Sequence, residues 1–125
     1  MNPEKVLKQT FGYDSFRPGQ KKVIDLVLNK QNVLAVMPTG AGKSLCYQVP
    51  ALMNAGVTLV ISPLISLMKD QIDTLKQNGI NAAALNSATP QEEVNPILRQ
   101  AYEGKIKLIY ITPERLAIDY FRYQL

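Results

Sequence analysis

Short unbroken apolar runs alternate along this chain with longer stretches in which apolar residues recur every three or four positions. The runs are Val33–Met37, Val57–Ile61 and Leu108–Ile111, with a weaker one at Ala82–Leu85. Their length and lack of alternation predict strands covered on both faces. The periodic stretches predict helices. One runs from Pro18 to about Asn29 with Val23, Ile24, Val27 and Leu28 inward. Another spans Leu64 to Gln77 with Leu64, Met68, Ile72 and Leu75 inward, and a third follows Thr89 with Val94, Ile97, Leu98, Ala101 and Tyr102 on one face. The pairs Asn2-Pro3, Ser62-Pro63, Thr89-Pro90 and Thr112-Pro113 each set a capping residue before a proline, the pattern of a helix start. Thr89 and Glu92 have capping-box spacing, and Pro96 falls where it would kink the helix that follows.

Strand and helix thus alternate throughout, which predicts an α/β fold: a parallel sheet with helices on both faces, joined by right-handed crossovers. At 125 residues the chain has the size of one domain, burying roughly two-thirds of the surface its unfolded form exposes. Ligands in such sheets lie at the carboxyl ends of the strands. Three loops are expected there, after Met37, after Ile61 and after Ile111.

The first of these is Met37-Pro38-Thr39-Gly40-Ala41-Gly42-Lys43-Ser44, which joins a predicted strand to the helical Leu45-Cys46-Tyr47-Gln48-Val49. Gly40 and Gly42 let successive N–H groups turn toward an anion, and the following helix presents its positive end to the same spot. Lys43 supplies charge for β- and γ-phosphates, and Ser44 a hydroxyl where a phosphate-bound Mg²⁺ needs a ligand. Met37 stands where the strict G-x-x-x-x-G-K-S/T pattern has its first glycine. The alternative is a plain glycine turn with a solvated lysine.

The other two loops, Ser62-Pro63-Leu64 and Thr112-Pro113-Glu114-Arg115, each carry a hydroxyl followed by proline, leaving backbone N–H groups at a helix start. Two such ends along one sheet edge can grip consecutive phosphates of a single nucleic-acid strand, with Lys69 and Arg115 adding charge. On spacing alone, ordinary helix capping is the favoured explanation. Ahead of the phosphate loop, Phe11-Gly12-Tyr13-Asp14-Ser15-Phe16-Arg17-Pro18-Gly19-Gln20 brings together aromatic rings, a guanidinium and a carboxamide. A ring and a guanidinium can sandwich adenine while Gln20 pairs with its N6 and N7 edge; the same aromatics also suit a core.

Charge and composition narrow the chemistry. Fourteen basic against ten acidic residues give a net charge of +4, which suits a polyanionic partner and equally a plain solvated surface. The single cysteine, Cys46, excludes an internal disulfide and reads as a core residue of the first helix after the loop. The absence of histidine removes a His-based nucleophile and a zinc site. No apolar run reaches the roughly 18 residues of a membrane span, and the start lacks a signal-peptide pattern, so a cytoplasmic location is expected.

Four segments in order, Phe16-Arg17-Pro18-Gly19-Gln20, the loop from Met37 to Ser44 with Leu45-Cys46-Tyr47-Gln48, Ser62-Pro63-Leu64-Ile65-Ser66-Leu67-Met68-Lys69-Asp70-Gln71, and Thr112-Pro113-Glu114-Arg115-Leu116, resemble successive motifs of the RecQ family of superfamily 2 DNA helicases. Leu85-Asn86-Ser87 also fits. The resemblance implies a RecA-like P-loop NTPase domain, with residues 1–30 an adenine-recognition segment and 31–125 the P-loop sheet core. It implies ATP and Mg²⁺ as cofactors. Tyr13, Arg17 and Gln20 would hold adenine; Pro38, Thr39, Gly40, Ala41, Gly42, Lys43, Ser44 and Leu45 the phosphates, with Lys43 and Ser44 serving catalysis and Ser44 the metal. Ser62, Pro63, Leu64, Lys69, Thr112, Pro113, Glu114 and Arg115 would lie along single-stranded or partly duplex DNA, which sets the capping explanation second.

Ala41 stands where many members have a third glycine. The family's Asp-Glu-Ala-His box would follow shortly after Leu116, so the chain reads as truncated before the Walker B strand, lacking also the second motor lobe with its arginine finger. The expected function is therefore that of the N-terminal part of a 3′-to-5′ DNA helicase acting in repair and recombination, nucleoid-associated, with little ATP turnover by these residues alone. A non-catalytic nucleotide- or DNA-binding module is the alternative. A small kinase using the same loop is disfavoured, since it would need an acceptor pocket and a base.

Overall fold

A computed structural model describes residues 2–37 and 42–117, which fall into two compact units, Met1–Ala55 and Gly56–Leu125. Each unit has its own cluster of buried side chains.

The first unit is helical. Asn2 caps α1 (Pro3–Val6), its Oδ1 accepting the Lys5 N–H at 2.8 Å, and Pro3 occupies the first turn as its missing N–H predicts. The chain continues through a π-helical turn, Leu7–Phe11, to left-handed Gly12. Next come α2 (Gln20–Leu28) and α3 (Leu45–Met53). Val6, Ile24 and Val49 form the buried centre, with Phe11, Phe16, Leu28, Leu45, Leu52 and Met53 packed around it. Burying each such side chain is worth about 1.5–3 kcal/mol. On the surface, Lys21 bridges Glu4 at 2.8 Å and Asp25 at 3.1 Å.

The second unit holds a three-stranded parallel sheet, β1 (Thr58–Ile61), β2 (Ala82–Leu85) and β3 (Leu108–Ile111), in the order β1-β3-β2. Central β3 is buried at all four positions, as a strand with neighbours on both edges requires. Its alternate residues serve two faces. Ile109 and Ile111 join Leu85 and Ile106 under α5 (Gln91–Tyr102), whose Val94, Ala101, Ile97 and Leu98 complete the cluster. α4 (Ile65–Gln77) packs on β2 and buries Met68, Ile72 and Leu75. A last turn, α6 (Pro113–Leu116), follows β3.

Four local expectations are corrected. Val33–Met37 is not a strand: among the described residues nothing pairs with it, and Leu34 and Val36 are 93% and 90% exposed. A lone extended segment has no ladder to hold it, however apolar its side chains. Leu64 is not part of the helical stripe; its extended backbone makes it the residue before α4, and it is 56% exposed. Tyr102 is 94% exposed because it sits about 80° round the helix from Val94, off the stripe centred on Val94 and Ala101.

Thr89 and Glu92 form no capping box. The Thr89 hydroxyl is spent on the preceding loop, and Pro90 takes the cap position with no side-chain cap bond. Helix α5 is continuous through Pro96.

Candidate nucleotide and nucleic-acid interface

The two halves of the expected site belong to different units. In the first, Gly19 enters α2 with φ +88, a left-handed conformation that side chains resist, and this turns the next residue, Gln20, inward. Gln20 is only 1% exposed. Its Oε1 accepts the Arg17 N–H at 2.8 Å, and its Nε2 donates to the Gly42 carbonyl at 2.9 Å. The segment ahead of α2 is thereby tied to the last glycine before Lys43. Gly42 has φ +77, a left-handed backbone that favours glycine, and a Cβ there would meet Gln20 Nε2 and displace that carboxamide.

Pro38, Thr39, Gly40 and Ala41 lie outside the described residues. Beyond them Lys43 is exposed, and Ser44, half-buried, precedes α3 without a side-chain capping bond. Leu45 packs into the buried centre and anchors the start of that helix. The α3 start thus presents the Lys43 ammonium and a Ser44 hydroxyl that caps nothing, beside first-turn N–H groups of Leu45, Cys46 and Tyr47 that are held by local turn carbonyls, and the ammonium and hydroxyl fit a phosphate with its magnesium. Tyr13 is 53% exposed and Arg17 is exposed, while Phe16 belongs to the core. Cys46 is buried, its Sγ 3.9 Å from Met37 Sδ, and burial pushes its thiol pKa up.

In the second unit the register aligns Ile61, Ile111 and Leu85, so the three strands end level. Ser62, Thr112 and Asn86 follow them at one sheet edge, stitched by Ser62 N–H to Ile111 O at 3.0 Å and Thr112 N–H to Leu85 O at 3.3 Å. Ser62 Oγ accepts the Leu64 N–H at 3.2 Å, a local turn rather than a helix cap. Thr112 is buried and makes no side-chain cap bond. The capping explanation therefore does not account for either hydroxyl. Pro63, Leu64, Pro113 and Glu114 are exposed, and Lys69 is exposed on α4. Lys69 also lines a groove of about 610 Å³ along the outer edge of β2 with Ile65, Ile72 and Ala83. Arg115 turns back, its Nη2 donating to Asn86 O at 2.8 Å.

Asn86 and Thr89 are the residues whose part sequence reasoning understated. An Asn directly after a predicted strand favours an Asx turn, in which its side chain accepts the N–H two residues on, here that of Ala88 at 2.8 Å. Among the described residues no cluster of acidic or cysteine side chains is arranged to hold a metal, and no helix is long and apolar enough to cross a membrane.

A family model for DEAD/DEAH box helicases matches residues 17–124, and the chain belongs to that family. Within it, the chain is 54% identical over 116 residues to the ATP-dependent DNA helicase RecQ of Haemophilus influenzae, covering 93% of this chain and 19% of that protein. It is 54% identical over 121 residues to the RecQ of Bacillus subtilis, covering 95% and 20%. The ATP-dependent DNA helicase Q1 of Mus musculus is 47% identical over 114 residues, covering 90% and 18%. The chain spans about a fifth of the length of these relatives. The RecQ resemblance drawn from the motifs is borne out at this level. In fold, a crystal structure of a hypothetical ATP-dependent RNA helicase from Sulfolobus tokodaii superposes with a TM-score of 0.76 at 23% identity, over 100% of this chain and 38% of that one. The expected α/β arrangement is shared with it.

Proposed function

We propose that this chain is the nucleotide-binding N-terminal part of the first motor domain of a RecQ-type ATP-dependent DNA helicase. The observation that carries this reading is the tie from Gln20 to Gly42, which joins the segment ahead of α2 to the phosphate loop of a chain 54% identical to RecQ proteins. In this reading residues 1–30 recognise adenine through Tyr13, Arg17 and Gln20, the Gln20 carboxamide exchanging its bonds to the Arg17 N–H and the Gly42 carbonyl for the adenine edge when nucleotide binds. Residues 31–125 carry the loop and sheet, with Pro38 to Leu45 around the phosphates, Lys43 neutralising charge and the Ser44 hydroxyl at the metal. Bound Mg²⁺ offsets the negative charge that develops on the transferring phosphoryl. Ser62, Pro63, Leu64 and Lys69, with Thr112, Pro113, Glu114 and Arg115, follow one strand of single-stranded or partly duplex DNA, and backbone N–H groups meet its phosphates.

A second RecA-like lobe of the same protein closes over ATP, and alternating grip moves the motor 3′-to-5′ in repair and recombination, at the nucleoid in the cytoplasm. The test uses the longest form the gene encodes, with a fluorescent ATP analogue plus Mg²⁺ and a labelled single-stranded oligonucleotide. Both bind, and Lys43→Ala weakens nucleotide binding at least about tenfold while leaving DNA binding intact. Nucleotide binding that is indifferent to Lys43→Ala, or no DNA binding, overturns the reading.

A further inference from the structure

The loop after β2 is held more tightly than its exposure requires. Asn86 is buried, and every polar group it has is engaged. Its N–H donates to Thr89 Oγ1 at 3.1 Å, its Oδ1 accepts the Ala88 N–H at 2.8 Å, and its Nδ2 lies 3.7 Å from Met68 Sδ on α4. Its carbonyl accepts twice, from the Thr89 N–H at 3.1 Å and from Arg115 Nη2 at 2.8 Å. Thr89 in turn donates its hydroxyl to Ala84 O at 2.9 Å, inside β2. Strand, turn and guanidinium are thus one hydrogen-bonded unit.

We propose that Asn86 and Thr89 are positioning residues for Arg115, aiming its guanidinium along the strand-end edge that carries DNA in the proposed function, on which this inference rests. A guanidinium has five donor N–H groups in a fixed fork, so a carbonyl holding Nη2 orients the whole group without neutralising its charge. An arginine ordered in the free protein loses less conformational freedom when a phosphate arrives. The carbonyl of Asn86 points at Arg115 only while the turn is locked. The lock consists of the Asn86 carboxamide and the Thr89 hydroxyl.

A double-mutant cycle on single-stranded DNA affinity tests this, using a fluorescein-labelled thymidine oligonucleotide and the longest form the gene encodes. Thr89→Val removes the hydroxyl at constant shape, and Thr89→Ser restores it. Arg115→Ala weakens binding about fivefold and lowers the salt slope by about one. Thr89→Val and Asn86→Ala each reproduce most of that loss and of the slope change, Thr89→Ser binds as the unaltered protein, and Thr89→Val adds less than about twofold when Arg115 is already alanine. If Arg115→Ala weakens binding but Thr89→Val is silent, or costs the same in both backgrounds, the positioning role is overturned while the DNA reading stands. If Arg115→Ala binds as the unaltered protein, the DNA role of Arg115 and the positioning role fall together. Should Thr89→Val not fold, Asn86→Ala takes its place in the cycle, and a loss of the same size with and without Arg115 contradicts the proposal.

Discussion

The carboxamide of Gln20 spans 22 positions of sequence to reach Gly42, donating Nε2 to its carbonyl at 2.9 Å while Oε1 takes the Arg17 N–H at 2.8 Å. Removing it leaves a carbonyl and an N–H without their partner. Gln20→Ala is expected to lower stability by about 1–3 kcal/mol, read as a lower urea midpoint at unchanged slope. Gly42→Ala suffers from its positive φ and from collision with Gln20 Nε2. Because the collision needs Gln20, the double variant should be less destabilised than the sum of the singles; strict additivity would refute the close approach.

Leu85 and Leu34 are the same residue in opposite surroundings, 0% and 93% exposed. Leu85→Ala opens a cavity under α5 and should cost about 2–5 kcal/mol. Leu34→Ala and Val36→Ala remove nothing that is buried, and each should stay within about 0.5 kcal/mol in the same denaturation experiment. A large loss at Leu34 would mean that this segment is paired in solution.

Cys46 is buried among apolar groups, and desolvation raises its pKa. Its thiolate is disfavoured in the folded chain. Modification by an aromatic disulfide reagent at pH 8 should run at least about tenfold slower in the native than in the urea-unfolded chain. A pKa raised on folding contributes stability below the unfolded value and loses it as pH rises through the folded one. Stability should therefore decline above the ordinary thiol range, and Cys46→Ala should flatten that decline.

Lys21 joins α2 to α1 through Glu4, whose hydrogen bond to Lys21 lowers its carboxyl pKa and raises that of the ammonium. For Glu4 the contribution is present above its unfolded pKa and fades as pH falls through the depressed folded value. Both groups are about half exposed, so salt screens the pair. Lys21→Met should make stability less sensitive to added salt and to acid in the carboxylate range. Unchanged salt dependence would show that the bridge carries no weight.

Much of this molecule is determined locally. The helical periods, three of the four apolar runs and the glycine-lysine-serine spacing depend on neighbours a few positions apart, and they appear in the chain as written. Asn2-Pro3 works as a helix start for the same reason, since its hydrogen bond closes within three residues. What the sequence could not settle was anything needing a distant partner. Val33–Met37 has the composition of a buried strand, but a strand exists only as half of a pair, and among the described residues its other half is absent. Thr89 has the spacing of a cap, yet its hydroxyl bonds to Ala84 and Asn86 because β2 ends beside it. Gln20 stood out as a candidate carboxamide by its motif. That it closes on Gly42, and that Arg115 closes on Asn86, was decided by the packing of α2 with α3 and the level ends of β2 and β3.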